Sequence, residues 1–512
     1  MEEPITTAAL PAKWAKVIDH TKCIGCHACS TACKSENQVP LSVNRTYVKY
    51  VDVGVFPQVR RAFQVTRCNQ CEDPPCTTAC PTGAMYARPD GIVDFDKSIC
   101  IGCKACIAAC PYDAIFINPE DHAAEKCNFC AHRIDMGLEP ACVIVCPTEA
   151  ILVGDLNDPT AQVARVVSRE PVTVRRPEKE THPKLFYKGA HQATLDPLAA
   201  QRPEGGLFLW SEQGTMSHQV YSGHPRRRNS AAVAVLAYDV PHRAPWDWRL
   251  SVYTWTKGIA SGAYLIPAFL LLFGRLTAES PVWKWVAPIV AGVFLALTGF
   301  ILIADLDHPE RFHLIFTRRQ WRSWLVRGAF IIVGYLVVLA LHFLASFLGA
   351  AGQHLQNALS GIGVPLSVLT AVYTAYLFAQ ATARDLWQNP LLPLHFVVQA
   401  LLAGAAVLLP VAAALEPTVV SPLVWILSAA CLLHLLLVLG EVTLAHPTAH
   451  ARLAVEEMTA GAYCQYFWAG AALVLVGIAA PWLGTLAALL ALVGLLAHEH
   501  AYVQAGQAVP LA

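Results

Sequence analysis

Sixteen of the eighteen cysteines lie between Cys23 and Cys146, in four groups of four. Cys23, Cys26, Cys29 and Cys33 read C-x2-C-x2-C-x3-C, and Cys100, Cys103, Cys106 and Cys110 repeat that spacing and run into Pro111. Cys68, Cys71, Cys76 and Cys80 read C-x2-C-x4-C-x3-C-P, and Cys127, Cys130, Cys142 and Cys146 read C-x2-C-x11-C-x3-C-P. A cubane [4Fe–4S] cluster needs a thiolate at each of four corners, and a tight C-x2-C-x2-C loop supplies three while its amides face the sulfides. The fourth cysteine, beyond the turn, points away and ligates a neighbouring cluster. Four groups therefore imply two exchanging pairs and four [4Fe–4S] centres. Structural zinc also uses C-x2-C pairs, but it needs only two of them and has no use for a third cysteine followed by C-x3-C-P. A disulfide framework requires an exported context. Met1 to Lys22 has neither an apolar signal core nor a twin-arginine pair, so that context is not expected.

The segments that must position these thiols are short. Strand-like pieces such as Ile92-Val93-Asp94-Phe95 alternate with the cysteine groups, and Pro and Gly punctuate residues 1–155. The expected fold class is an α+β ferredoxin-like iron–sulfur domain followed by an all-α polytopic membrane domain. Residues 156–245 are mixed and polar, with five prolines from Pro171 to Pro203 and the basic run Arg226-Arg227-Arg228, and read as a covering and connecting segment. Ala231–Tyr238 is apolar but too short to span a bilayer.

The 37 basic and 37 acidic residues cancel, which gives no sign of a nucleic-acid partner. Their distribution says more, because 54 of these 74 charges lie in residues 1–250 and only 20 in residues 251–512. Residues 246–512 therefore read as a lipid-embedded domain. Eight spans are expected, near 252–274, 283–304, 328–350, 359–381, 391–414, 419–440, 462–481 and 483–503, with seven as the competing count because Pro481-Trp482 blurs the last boundary. Arginines crowd the segment before span one and the loop after span two, whereas the opposite side has only Arg275 and Lys284. This bias places the iron–sulfur domain and both termini on the cytoplasmic side of the inner membrane.

The four cysteine groups, in this order, resemble the iron–sulfur subunit of the dimethyl sulfoxide reductase and polysulfide reductase families of molybdoenzymes. The resemblance covers residues 15 to about 190. It implies ligand exchange between groups one and four and between groups two and three. One cluster then takes Cys23, Cys26, Cys29 and Cys146, and a second takes Cys33, Cys127, Cys130 and Cys142. A third takes Cys68, Cys71, Cys76 and Cys110, and the fourth takes Cys80, Cys100, Cys103 and Cys106. The run from Asp305 to Phe312, followed by Trp321-Arg322-Ser323-Trp324, resembles the NrfD-type membrane anchor of polysulfide reductase, usually a separate chain and here fused.

That anchor family binds quinone and usually lacks haem, and few deep histidines are present for an axial pair (His342, His395 and His434), so no haem is expected. Lys257, Asp305, His395, Gln399, His434, Glu441, His498 and Glu499 fall in the cytoplasmic half of the spans, where ionisable groups are costly and mark function. Quinone chemistry needs donors to two carbonyls and a group that exchanges protons. Asp305 and His395 are assigned the proton work and Lys257 the polarisation of a carbonyl. Asp307, His308, Arg311, Gln399, His434 and Glu441 are further cofactor-binding candidates, although Asp307 to Arg311 also reads as a salt-bridged capping turn. His498 and His500 read as interfacial, Trp246, Trp248, Trp283 and Trp285 as interface belt, and Cys431 and Cys464 as buried thiols.

The function expected is an electron-transfer and anchor subunit, not itself catalytic for the final substrate. It would pass electrons between the quinone pool and a molybdopterin-containing catalytic partner. The alternative is a cluster-driven proton-translocating respiratory module, for which the other half of the spans offers only His342 and tyrosines near Tyr373 and Tyr376.

Overall fold

The computed structural model describes residues 11–201 and 233–511. The first ten residues, on which part of the export reading rests, and the basic run Arg226-Arg227-Arg228 lie outside the described residues. The chain divides into two compact units, Met1–Arg243 with Pro510–Ala512, and Ala244–Val509.

The first unit is built on β-branched and aromatic segments that suit a pleated, half-buried surface. Trp14–Asp19 runs between two partners, parallel to Leu185–Lys188 and antiparallel to Ile151–Asp155. Ala15, Val17 and Ile18 at its centre are fully buried. A long hairpin pairs Thr46–Val55 with Gln58–Arg67, and Ala234–Tyr238 adds a third strand. Two small hairpins, Met85–Ala87 with Val93–Phe95 and Ile115–Ile117 with Ala124–Lys126, follow the second and third cysteine groups.

In the second unit, seven helices among the described residues are long and apolar enough to cross a membrane. They are α1 Trp248–Leu272, α2 Ala287–Ala304, α3 Trp324–Ala345, α4 Gly349–Gln380, α5 Leu392–Leu415, α6 Val420–Thr443 and α9 Thr485–Ala508. Between the last two, α7 Ala449–Thr459 and α8 Cys464–Gly477 form a pair bent by 71°, which makes an eighth span if the pair is counted as one. The choice between seven and eight spans turns on this bend rather than on Pro481-Trp482. The 14 residues of α8 are too few to span alone, and Gly484, with φ 54, separates the Pro481 turn from α9. The fourth helix begins ten residues before the expected 359, at Gly349 with φ 57, and carries Pro365 inside it.

The most buried of the spanning helices are α1, α5 and α9, at 78%, 67% and 61% of their apolar windows, against 33% for the span that contains α2 and 39% for α3. Small residues explain how α1 and α5 meet. Gly258 and Gly262 are one turn apart, and a Cβ on Gly262 would collide with the Ala400 carbonyl and with Gly404 of α5. This is the close backbone approach that small-x-x-x-small spacing permits where lipid offers no hydrophobic driving force.

Candidate iron–sulfur and membrane sites

Backbone conformation shapes the cysteine loops. In group one Gly25 has φ 69 and His27 φ 61, and in group three Gly102 has φ 68 and Lys104 φ 62. The same left-handed residues recur at the same places, and each time a helix follows, Ala28–Asn37 or Ala105–Ala109. A side chain at Gly25 would also strike the Phe63 ring, so glycine is required there twice over.

None of the eighteen cysteines is in a disulfide. Burial pushes the Cys23 thiol above its ordinary range, and neighbouring Cys146 and Cys26 add to the effect. Cys33 is raised by burial and by Cys127, Cys142 and Cys130. Burial raises Cys76 likewise, with Cys68, Cys110 and Cys71 beside it. Cys80, Cys100, Cys103 and Cys106 line one cavity together with Thr82, Met85 and Phe95. The fold thus draws Cys146 to group one, Cys33 to group four, Cys110 to group two and Cys80 to group three. The four sets are also electrostatically coupled in series: Cys29 feels Cys142, Cys68 feels Cys127, and Cys106 feels Cys76.

Thiols gathered in fours suit a polycationic centre, because ionised thiolates would otherwise repel one another in a poorly solvated site. Backbone amides dress the sulfurs as well. Ala150 N–H donates to Cys146 Sγ at 3.2 Å, and Met85 and Ala124 donate to Cys80 and Cys100 Sγ, each at 3.4 Å. The donor set fits iron–sulfur clusters, whose potentials respond to such hydrogen bonds. One ligand position differs from the rest. Burial opposes ionisation of Cys142, but Arg67 (Nη1–Sγ 2.9 Å) and Lys16 (Nζ–Sγ 3.7 Å) outweigh it and bring the thiol down to about 7. Both cations are buried, and nothing in the cysteine spacing announced them.

In the membrane unit the reactive side chains sit mainly on the central helices. Lys257 of α1 donates to Ala371 O (2.9 Å) and Thr374 Oγ1 (2.6 Å) of α4, and its ammonium lies 4.3 Å from the centroid of the Phe396 ring of α5. Glu499 of α9 is its electrostatic partner and reaches Thr254. Tyr253 hydrogen-bonds Tyr373, and its hydroxyl is 2.7 Å from Thr374 Oγ1. His395 Nε2 of α5 and His434 Nδ1 of α6 are 2.9 Å apart, and the His498 ring of α9 lies tilted against His395 and edge-on to His434. His498 is therefore a buried member of a cluster rather than the interfacial residue its place near the C-terminus suggested, because the packing of α9 turns it inward. Gln399 is buried one turn beyond His395, and Glu441 accepts from Asn389 at 3.1 Å.

Asp305 and the loop after it belong to a different level. Thr298 bonds Thr256, and Asp305 lies seven residues beyond Thr298, about 10 Å along the helix. Asp305 is 4.0 Å from Arg249. Glu310 pairs with both His308 and Arg311 within the turn.

Comparison with known families decides the identity. The description "4Fe-4S dicluster domain" matches residues 59–156, and "Polysulphide reductase, NrfD" matches residues 238–511, more than half of the chain. The chain belongs to the NrfD polysulphide reductase family. It is an iron–sulfur electron-transfer subunit fused to an NrfD-type, multi-pass membrane anchor. It is 40% identical over 204 residues to a tetrathionate reductase subunit of Salmonella typhimurium, covering 39% of this chain and 80% of that one. A polysulfide reductase component of Wolinella succinogenes is 44% identical over 177 residues, 34% of this chain and 93% of its own. The iron–sulfur subunit ArrB of the arsenate respiratory reductase of a Shewanella species is 35% identical over 219 residues, 33% and 94% of the two chains. The resemblance read from the cysteine groups and the Asp305–Phe312 loop is the one these matches report.

Proposed function

We propose that this NrfD-family chain carries electrons between the membrane quinone pool and a molybdopterin-containing catalytic partner, through four [4Fe–4S] clusters. The interleaving of the cysteine groups carries the reading. Four sets of four thiols, each close enough to the next to feel its charge, suit a wire, and the sets are those assigned above: Cys23, Cys26, Cys29 and Cys146; Cys33, Cys127, Cys130 and Cys142; Cys68, Cys71, Cys76 and Cys110; Cys80, Cys100, Cys103 and Cys106. The names of the relatives, which belong to tetrathionate, polysulfide and arsenate reductases, support a reductase-type partner.

Residues 1–155 act as the ferredoxin domain, 156–245 cover and connect, and 246–512 form the anchor with the quinone site. The ferredoxin domain and both termini face the cytoplasm. Lys257 polarises a quinone carbonyl, and Glu499, a carboxylate beside it, joins His395 and Asp305 as a proton-exchanging group. Anaerobically purified protein should hold about sixteen irons per chain, four per cubane. Stoichiometric zinc with little iron would overturn the reading.

A second reading, proton translocation driven by the clusters, has one observation in its favour. Thr254, Lys257, Ser261 and Tyr264 recur at helical spacing on α1, and Tyr264 hydroxyl lies 3.1 Å from His342 Nδ1. Gln356 continues the line by donating to Ser346 Oγ at 2.7 Å and to the His342 carbonyl. In sealed vesicles, His342→Phe should abolish proton movement while electron transfer continues. Unchanged proton movement would remove this reading.

A further inference from the structure

The three buried histidines of the membrane unit have more in common than a proton task. One ring nitrogen from each of His395, His434 and His498 lies within 4.8 Å of the others. They come from three different helices, α5, α6 and α9, and each is at least 95% buried. Ring centroids stand 4.7 to 5.8 Å apart. Phe467 and Tyr502 border the His498 ring on the other sides, each at 6.2 Å.

Hydrogen bonding alone leaves this arrangement poorly satisfied. A neutral imidazole carries one donor and one acceptor. Among the described residues the three rings share one hydrogen bond, His395 Nε2 with His434 Nδ1 at 2.9 Å, and neither nitrogen of His498 takes part in one. Buried polar atoms in native structures are nearly always partnered. A buried carbonyl is orphaned nearby as well: Gln399 Oε1, one helical turn past His395, lacks a partner among the described residues.

We propose that His395, His434 and His498 bind a first-row divalent transition cation, of the zinc or copper class that imidazole prefers. One cation satisfies a nitrogen from each ring at once and ties α5, α6 and α9 together. Three protein ligands leave a coordination position open, the arrangement of a site that accepts water or another oxygen ligand rather than of a closed structural site. Gln399 Oε1 stands on the same helix face as His395, where a second acceptor is wanted to hold a ligand imidazole by its remaining N–H. The proposal meets the quinone reading at one residue: a cation on His395 occupies the nitrogen that would exchange protons, which leaves that task to Glu499 and Asp305.

The test uses the intact membrane protein, loaded with its clusters, with Zn2+ as the probe. Full iron content keeps the sixteen cysteines of the iron–sulfur unit out of competition. After exposure to Zn2+ and gel filtration, the native protein should retain about one zinc per chain. His434→Leu and His498→Leu should lower that occupancy at least tenfold with iron content unchanged. X-ray absorption at the zinc edge of the native protein should show three imidazoles, a readout that does not depend on any variant folding. Zinc that washes out, full retention by either variant, or a shell with fewer than three imidazoles would each overturn the site.

Discussion

Cys23, Cys26 and Cys29 reach their places inside one seven-residue loop, whereas Lys257, His395, His434 and Glu499 reach theirs on four different helices. In the iron–sulfur unit the backbone does the positioning, through repeated left-handed residues at Gly25, His27, Gly102 and Lys104. In the membrane unit each of these side chains stands on ordinary α-helix, which carries no such information. There the positioning is done by surface texture, as where Gly262 lets α1 press on Ala400 and Gly404. A local device tolerates change elsewhere in the chain. A packing device spreads its sensitivity over every helix it joins.

The largest effect that would break this contrast is at Cys146. If the sets are as the fold draws them, Cys146→Ser should remove or convert the cluster on Cys23, Cys26 and Cys29, although 113 residues separate Cys146 from Cys33. Electron paramagnetic resonance of the reduced protein reads this directly. A change confined to the cluster holding Cys127 and Cys130 would mean that group four keeps its own fourth ligand.

Next come the two membrane levels. Lys257→Gln should lower quinol-linked turnover about 100-fold, the lower end of what a positioned acid–base group contributes. All four clusters should still accept electrons from dithionite. Asp305→Asn, at the Arg249 level, should cost less, about tenfold. If Asp305→Asn proved the more damaging of the two, the proton work would belong to the helix end rather than to the buried cluster.

A smaller effect sharpens the iron–sulfur side. Arg67 is a buried cation 2.9 Å from Cys142 Sγ, and it favours added negative charge on the cluster there. Arg67→Met should lower that midpoint by about 60 mV, a tenfold change in a one-electron equilibrium. An unmoved midpoint would reduce Arg67 to packing.

A last effect, on stability rather than electron transfer, concerns His242, held by Asp113 and 3.2 Å from Asp239. Burial alone would lower this imidazole, but the two carboxylates outweigh it and push it up to about 9. A folded-state value above the unfolded one stabilises fully below about pH 6.5 and is lost as pH rises through about 9. Thermal melts of the iron–sulfur unit in the intact chain should therefore lose about 3 kcal/mol across that window. His242→Gln should flatten the slope, and a slope unchanged by the substitution would assign it to other groups.

What the sequence alone determined follows from short-range geometry. Cysteine spacing acts over a few residues, where backbone geometry restricts the possible sites, so the iron–sulfur identity was legible. Hydropathy over some twenty residues is likewise a local sum, so the spans were legible apart from the one broken at residues 460–463. The Asp305–Phe312 loop could be read as a motif for the same reason. Tertiary structure decided everything that depends on which faces meet. Glu499 opposing Lys257, Arg67 reaching Cys142, and His498 turning inward to join His395 and His434 are contacts across 75 to 242 residues of sequence. In a helix every side chain has the same backbone beneath it, so the rotation and depth of each helix are fixed only by the small residues and volumes of its neighbours. Those neighbours lie far away in sequence, and no local pattern names them.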